Sequence, residues 1–90
     1  MNLKKIIVYQ NDILFNILDE IKEEFNLNLF KADSQNIIDV KNELKSDFLI
    51  LTSKEIKNDK NLLILDNLPL RVYKLIEKIN LNFLKQKFSN

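Results

Sequence analysis

The sequence predicts an α/β domain in three layers, with a parallel sheet of about four strands between helices. Three observations carry this. Short aliphatic runs alternate with stretches whose apolar residues recur at helical spacing, which is the pattern of successive βα units. The run Phe48-Leu49-Ile50-Leu51 is apolar at every position, as a strand must be when helices cover both faces of its sheet. The 90 residues also hold no linker, repeat or low-complexity segment, so 1–90 reads as one domain.

The elements follow in order. Residues 4–9 form a β-branched run, the first strand. Asn11 is suited to cap the helix that follows, and Asp12 places an acid in its first turn, where the helix dipole favours one. That helix is expected over about 12–25, with Leu14, Ile17, Leu18, Ile21 and Phe25 on one apolar face. Asn26 is placed to close it in the left-handed conformation. The chain contains no glycine, so positions needing positive φ fall to Asn or Asp; Asn58 and Asn67 are two further candidates.

Residues 27–32 partly alternate, as a half-exposed edge strand does. Asp33-Ser34 can cap a second helix over about 35–45, with Ile37, Val40 and Leu44 inward. The central strand is expected at 47–52. The segment from Ser53 to Asn61 is barely long enough for a crossover and predicts a single helical turn, capped by Ser53 and pinned by Ile56. A strand at 62–65 and a turn at Asp66-Asn67-Leu68-Pro69 precede a long last helix over about 70–88. In that helix Val72, Leu75, Ile76, Ile79 and Phe83 share one face, and Tyr73, Leu81, Leu84 and Phe88 share another. Only the first can pack on the sheet.

Composition narrows the function. Hydrophobic residues make up 46% and charged residues 30%, and the net charge is +1, so no strong overall field points to nucleic acid. Lysines are interleaved with acids along the chain, the pattern of a solvated surface. With neither Cys nor His, thiolate chemistry and the commonest metal ligand are absent. No apolar run reaches membrane-spanning length, and Gln10-Asn11-Asp12 ends the first run too soon for a signal peptide. The expected location is cytoplasmic.

In open parallel sheets, ligands bind at the carboxyl ends of the strands. Thr52 and Ser53 stand at such an end, after the central strand. Val8 to Phe15, Asp47 to Thr52, and Leu68-Pro69-Leu70 with Leu75 to Ile79 together resemble the receiver domains of two-component response regulators. The resemblance implies a flavodoxin-like sheet of order 2-1-3-4 with a shortened fourth βα unit and a long C-terminal helix. A working receiver holds Mg²⁺ on two acids, phosphorylates an aspartate and reads the phosphoryl group with a lysine, because transfer needs charge neutralised in line. By this resemblance the acid pair falls on Gln10 and Asn11, the acceptor on Thr52 and the lysine on Leu68. Amides, a hydroxyl and an aliphatic side chain cannot supply those charges.

The resemblance therefore implies an atypical receiver with no catalytic residue, metal, cofactor or small-molecule substrate. It would serve signal transduction and transcription regulation in a bacterium as a dimerisation module, outside the phosphorelay chemistry itself. Its interface would be Tyr73, Leu81, Leu84 and Phe88, meeting a second copy. DNA would be reached only through a winged-helix domain beyond these residues, and membranes not at all. Two alternatives stand beside this reading. One is an adaptor that binds a different protein through the last helix. The other is a Mg²⁺-dependent phosphoacceptor using Asp12 and Asp66, although the spacing from Asn11 matches Thr52 to the acceptor position better than Asp66.

Overall fold

The computed structural model describes residues 3–45, 47–53, 61–65 and 71–88, the side chains of Lys87 and Phe88 excepted. The chain runs β1 (Lys4–Tyr9), α1 (Asp12–Ile21), β2 (Leu27–Ala32), α2 (Ile37–Leu44), β3 (Phe48–Thr52), β4 (Leu62–Ile64) and α3 (Val72–Phe88). The strands form one parallel sheet in the order β2-β1-β3-β4. The α/β class, the strand order and the long last helix are those the sequence predicts.

Alternation along the central strands builds the three layers. Ile7 pairs with Phe30 on one side and Ile50 on the other. These side chains join Ile37 and Leu44 of α2 in one core. Their neighbours Ile6, Val8, Leu49 and Leu51 point the other way and join Leu14 and Leu18 of α1 with Leu75, Ile76 and Ile79 of α3. Both faces of β3, and of β1 from Ile6 to Val8, are thus dry, which is why these stretches are apolar at successive positions. Each such aliphatic side chain contributes roughly 1.5–3 kcal/mol when taken fully out of water.

Helix α1 starts as its residues dictate. The Asn11 side chain accepts from the backbone N–H of Leu14 at 3.0 Å, satisfying one of the free donors of the first turn. The regular helix stops at Ile21, earlier than the expected 25. The last turn is irregular, with Phe25 N–H to the Ile21 carbonyl at 3.3 Å, and it closes with Leu27 N–H on the Lys22 carbonyl at 2.8 Å. Asn26 has φ 58. This is the six-to-one bond of a Schellman cap with Asn26 in the left-handed position, where the sequence puts it. Phe25 still packs on the core, but Ile17, expected on the buried face, is 40% exposed.

Helix α2 is also shorter than expected. The Asp33 carboxylate accepts from the N–H groups of Gln35 and Asn36, and the Asn36 side chain accepts from Asp33 N–H in return. That reciprocal turn occupies the residues expected to open the helix, so the helix proper begins at Ile37. At the far end Lys45 turns to φ 66, ψ −66, and Asp47 has φ 61. Asp47 is therefore not extended, and β3 starts at Phe48 rather than at 47. Without glycine, Gln10, Asn26, Lys45 and Asp47 carry positive φ.

Strand β4 covers only three residues; Leu65 follows it, buried, and donates its N–H to the Thr52 carbonyl at 2.8 Å. The expected turn within 53–61, the caps at Asn58 and Asn67, the Leu68-Pro69 turn and Leu70 lie outside the described residues, Ser53 and Asn61 excepted. No helix among the described residues is long and apolar enough to cross a membrane.

Candidate functional site

The carboxyl ends of the strands bring together Gln10, Asn11, Asp12, Asp33, Thr52 and Ser53 by topology. The capacity of each to hold a ligand is limited by the bonds it already makes. Gln10 is exposed, stands at φ 51 and donates its N–H to the Ala32 carbonyl at 2.9 Å, tying the exits of β1 and β2 together. The Asn11 side-chain oxygen is engaged by the N–H of Leu14. Thr52 is buried, at 4% exposure. The Asp33 carboxylate serves the turn before α2. Asp12 is the remaining acid; its side chain is 84% exposed and lies 3.8 Å from the Lys31 ammonium. Asp66 and Leu68 lie outside the described residues.

Chemically this corner holds two separate carboxylates, Asp12 and Asp33, among amides and a buried hydroxyl. Amide and hydroxyl oxygens bind a hard divalent cation weakly compared with paired carboxylates. Among the described residues no three acids come close enough to hold a metal ion.

The last helix offers a different kind of site. Leu75, Ile76 and Ile79 are buried on the sheet, with Phe83 packed beside them. On the opposite side Tyr73, Leu81 and Leu84 are 58%, 51% and 52% exposed. At 100° per residue these three lie within one quadrant of the helix, with Glu77 among them. The Phe88 side chain, the fourth expected member, lies outside the described residues. Large apolar side chains gathered on one strip of an otherwise solvated helix mark an interaction surface more often than scattered ones do.

Two features of the surface are not visible in residue-by-residue reading. Ile13 of α1 is 75% exposed, next to the half-exposed Ile17. Charge is also segregated rather than interleaved. From Asp12 to Glu24 there are five acids and one base, Lys22; from Arg71 to Phe88 there are five bases and one acid, Glu77. Lys22 is held by Asp19 at 2.8 Å, and that hydrogen bond, with the charge behind it, raises its pKa above the usual lysine value. Glu20, Glu23 and Glu24 are left as the exposed acids around it. Counting by segment rather than over the whole chain, where the sum is +1, would have found this.

No family model, curated protein or solved structure matches the chain.

Proposed function

We propose that this chain is an atypical, non-phosphorylated receiver-like module of a bacterial signal-transduction regulator, working in the cytoplasm by self-association through α3. The observation that carries the reading is the exposed strip of Tyr73, Leu81 and Leu84, opposite the face that α3 buries on the sheet. The parallel order β2-β1-β3-β4 supports the receiver-like part of the reading. The amides at Gln10 and Asn11 and the hydroxyl at Thr52, in the positions the resemblance assigns to the charged groups, support the non-phosphorylated part. In this reading the chain is not an enzyme, and DNA contact belongs to a winged-helix domain outside these residues.

Sedimentation equilibrium at high micromolar concentration tests it. The expected result is a dimer, and a strict monomer overturns self-association. A different protein captured by the chain and released by Leu84→Asp would replace self-association with the adaptor reading.

A further inference from the structure

Helices α1 and α3 pack on the same face of the sheet, α1 over β1 and β2 and α3 over β3 and β4. Their outer surfaces carry opposite charge. One contact fixes the orientation of each helix. Lys31 of β2 lies over the Phe15 ring at 4.8 Å, so that flank of α1 faces the β2 edge. Ile13, Ile17 and Glu20, spaced by four and three, run along the other flank, towards α3. On α3, Asn80 accepts from the Lys4 ammonium of β1 and so marks the flank towards α1. Lys74, Lys78 and Lys85, all exposed, run along the far flank.

The outer surface of this layer therefore reads, from one side to the other, as the acids Asp12 and Asp19, then Ile13 and Ile17 with Glu20 beside them, then Tyr73 and Leu84, then lysines. Its middle is largely apolar, with the exposed acids Glu20 and Glu77 within it, and its two sides carry opposite net charge. We infer that this surface is the dimer contact, with α3 of each copy lying on α1 of the other in a closed two-fold pair. The inference rests on the self-association reading and adds the identity of the surface that α3 meets.

Symmetry makes the choice. A two-fold axis running along the groove between the helices sets each α3 over the partner copy's α1, joins the two apolar centres and puts acids opposite lysines on both sides. An axis across the helices sets α3 on α3 and α1 on α1, with lysine against lysine and acid against acid. Like charges brought together at an interface cost several kcal/mol. The first arrangement also gives the usual anatomy of a contact, an apolar centre inside a charged rim.

The test is a pair of charge reversals on exposed residues, Glu20→Lys/Glu23→Lys/Glu24→Lys on α1 and the turn that closes it, and Lys74→Glu/Lys78→Glu/Lys85→Glu on α3. Circular dichroism checks that each variant keeps its fold. Each reversal alone is expected to weaken dimerisation on the order of a hundredfold, since it turns attraction into repulsion on both sides of the axis. An equimolar mixture of the two variants is expected to regain dimers, as is one chain carrying all six substitutions. Added salt is expected to weaken the wild-type dimer by screening its rim.

If the wild type dimerises but the α1 reversal leaves its affinity unchanged, the inference is overturned while self-association stands. A dimer that tightens with salt points to α3 on α3 and has the same consequence. A wild type that stays monomeric overturns both, including when it binds anionic vesicles through its lysines instead.

Discussion

The side-chain amide of Gln86, near the end of α3, donates to the backbone carbonyl of Phe48, the first residue of β3, at 3.2 Å. This bond ties the last turns of the helix to the amino end of a central strand. It is partly buried, and the carbonyl it serves sits where the strand ladder has just begun. Gln86→Ala is expected to cost about 1 kcal/mol, the usual net worth of such a bond. Asn82→Ala, which removes an exposed bond to the Lys78 carbonyl of the same helix, is expected to stay within about 0.5 kcal/mol. Urea denaturation measures both. Amide exchange should also quicken in the last turns of α3 in the Gln86 variant alone, and equal effects of the two variants would refute the tie.

Asn26 and Lys45 make opposite predictions about backbone strain. Asn26 tolerates its φ of 58 well, because its short polar side chain suits the left-handed region. Asn26→Ala is expected to destabilise by about 1 kcal/mol, because alanine keeps the Cβ crowding of that region and loses the polar side chain that offsets it. Lys45 stands at φ 66, ψ −66, a positive-φ γ-turn geometry that is strained for any residue with a Cβ. Lys45→Gly is expected to stabilise by roughly 0.5–1 kcal/mol, the strain relieved exceeding the added freedom of the unfolded chain. A fall in melting temperature for Lys45→Gly would sink this account.

Much of the fold is legible because the signals are local. The alternation of Ile6, Ile7 and Val8 between two cores, and the unbroken burial of Phe48 to Thr52, follow from the pattern of a strand covered on both faces. Asn11 and Asn26 cap α1 as their side chains predict. Element ends are harder to place. The reciprocal Asp33–Asn36 turn delays α2, and the positive φ of Asp47 delays β3; both depend on loop geometry that propensity does not encode. The exposed strip of α3 can be read from helical phase. The outer surface of α1 cannot be read in this way. Ile17 follows the apolar period, and only the packing of Leu14 and Leu18 shows that Ile13 and Ile17 face outward.

The corner at the strand ends should be inert toward phosphoryl analogues. With one lone pair of its side-chain oxygen on Leu14 N–H, Asn11 offers a cation only a neutral amide oxygen already shared with the cap. Such a cap is worth about 1 kcal/mol. Adding Mg²⁺ with beryllofluoride is therefore expected to leave the amide resonances of Asn11, Asp12 and Thr52 in place in a two-dimensional NMR spectrum. Saturable shifts at these residues would restore the phosphoacceptor alternative through Asp12.

Ile79 and Leu84 sit on opposite sides of α3 and should separate folding from association. Ile79 is fully buried against the sheet, and Leu84 is 52% exposed. Ile79→Ala empties part of the core shared with Leu75 and Ile76 and is expected to cost about 2–5 kcal/mol. That is a large share of the stability of a domain this small, so its melting temperature should fall sharply. Leu84→Ala leaves the monomer core intact, and its stability at low concentration is expected to change by less than about 0.5 kcal/mol. Its dimer should nonetheless weaken, because an exposed leucine that meets a partner is buried only in the pair. Melting curves at low and high protein concentration distinguish the two. The wild type is expected to gain stability with concentration and Leu84→Ala to gain less. If both variants lose stability equally at every concentration, the outer strip of α3 belongs to the fold and not to an interface.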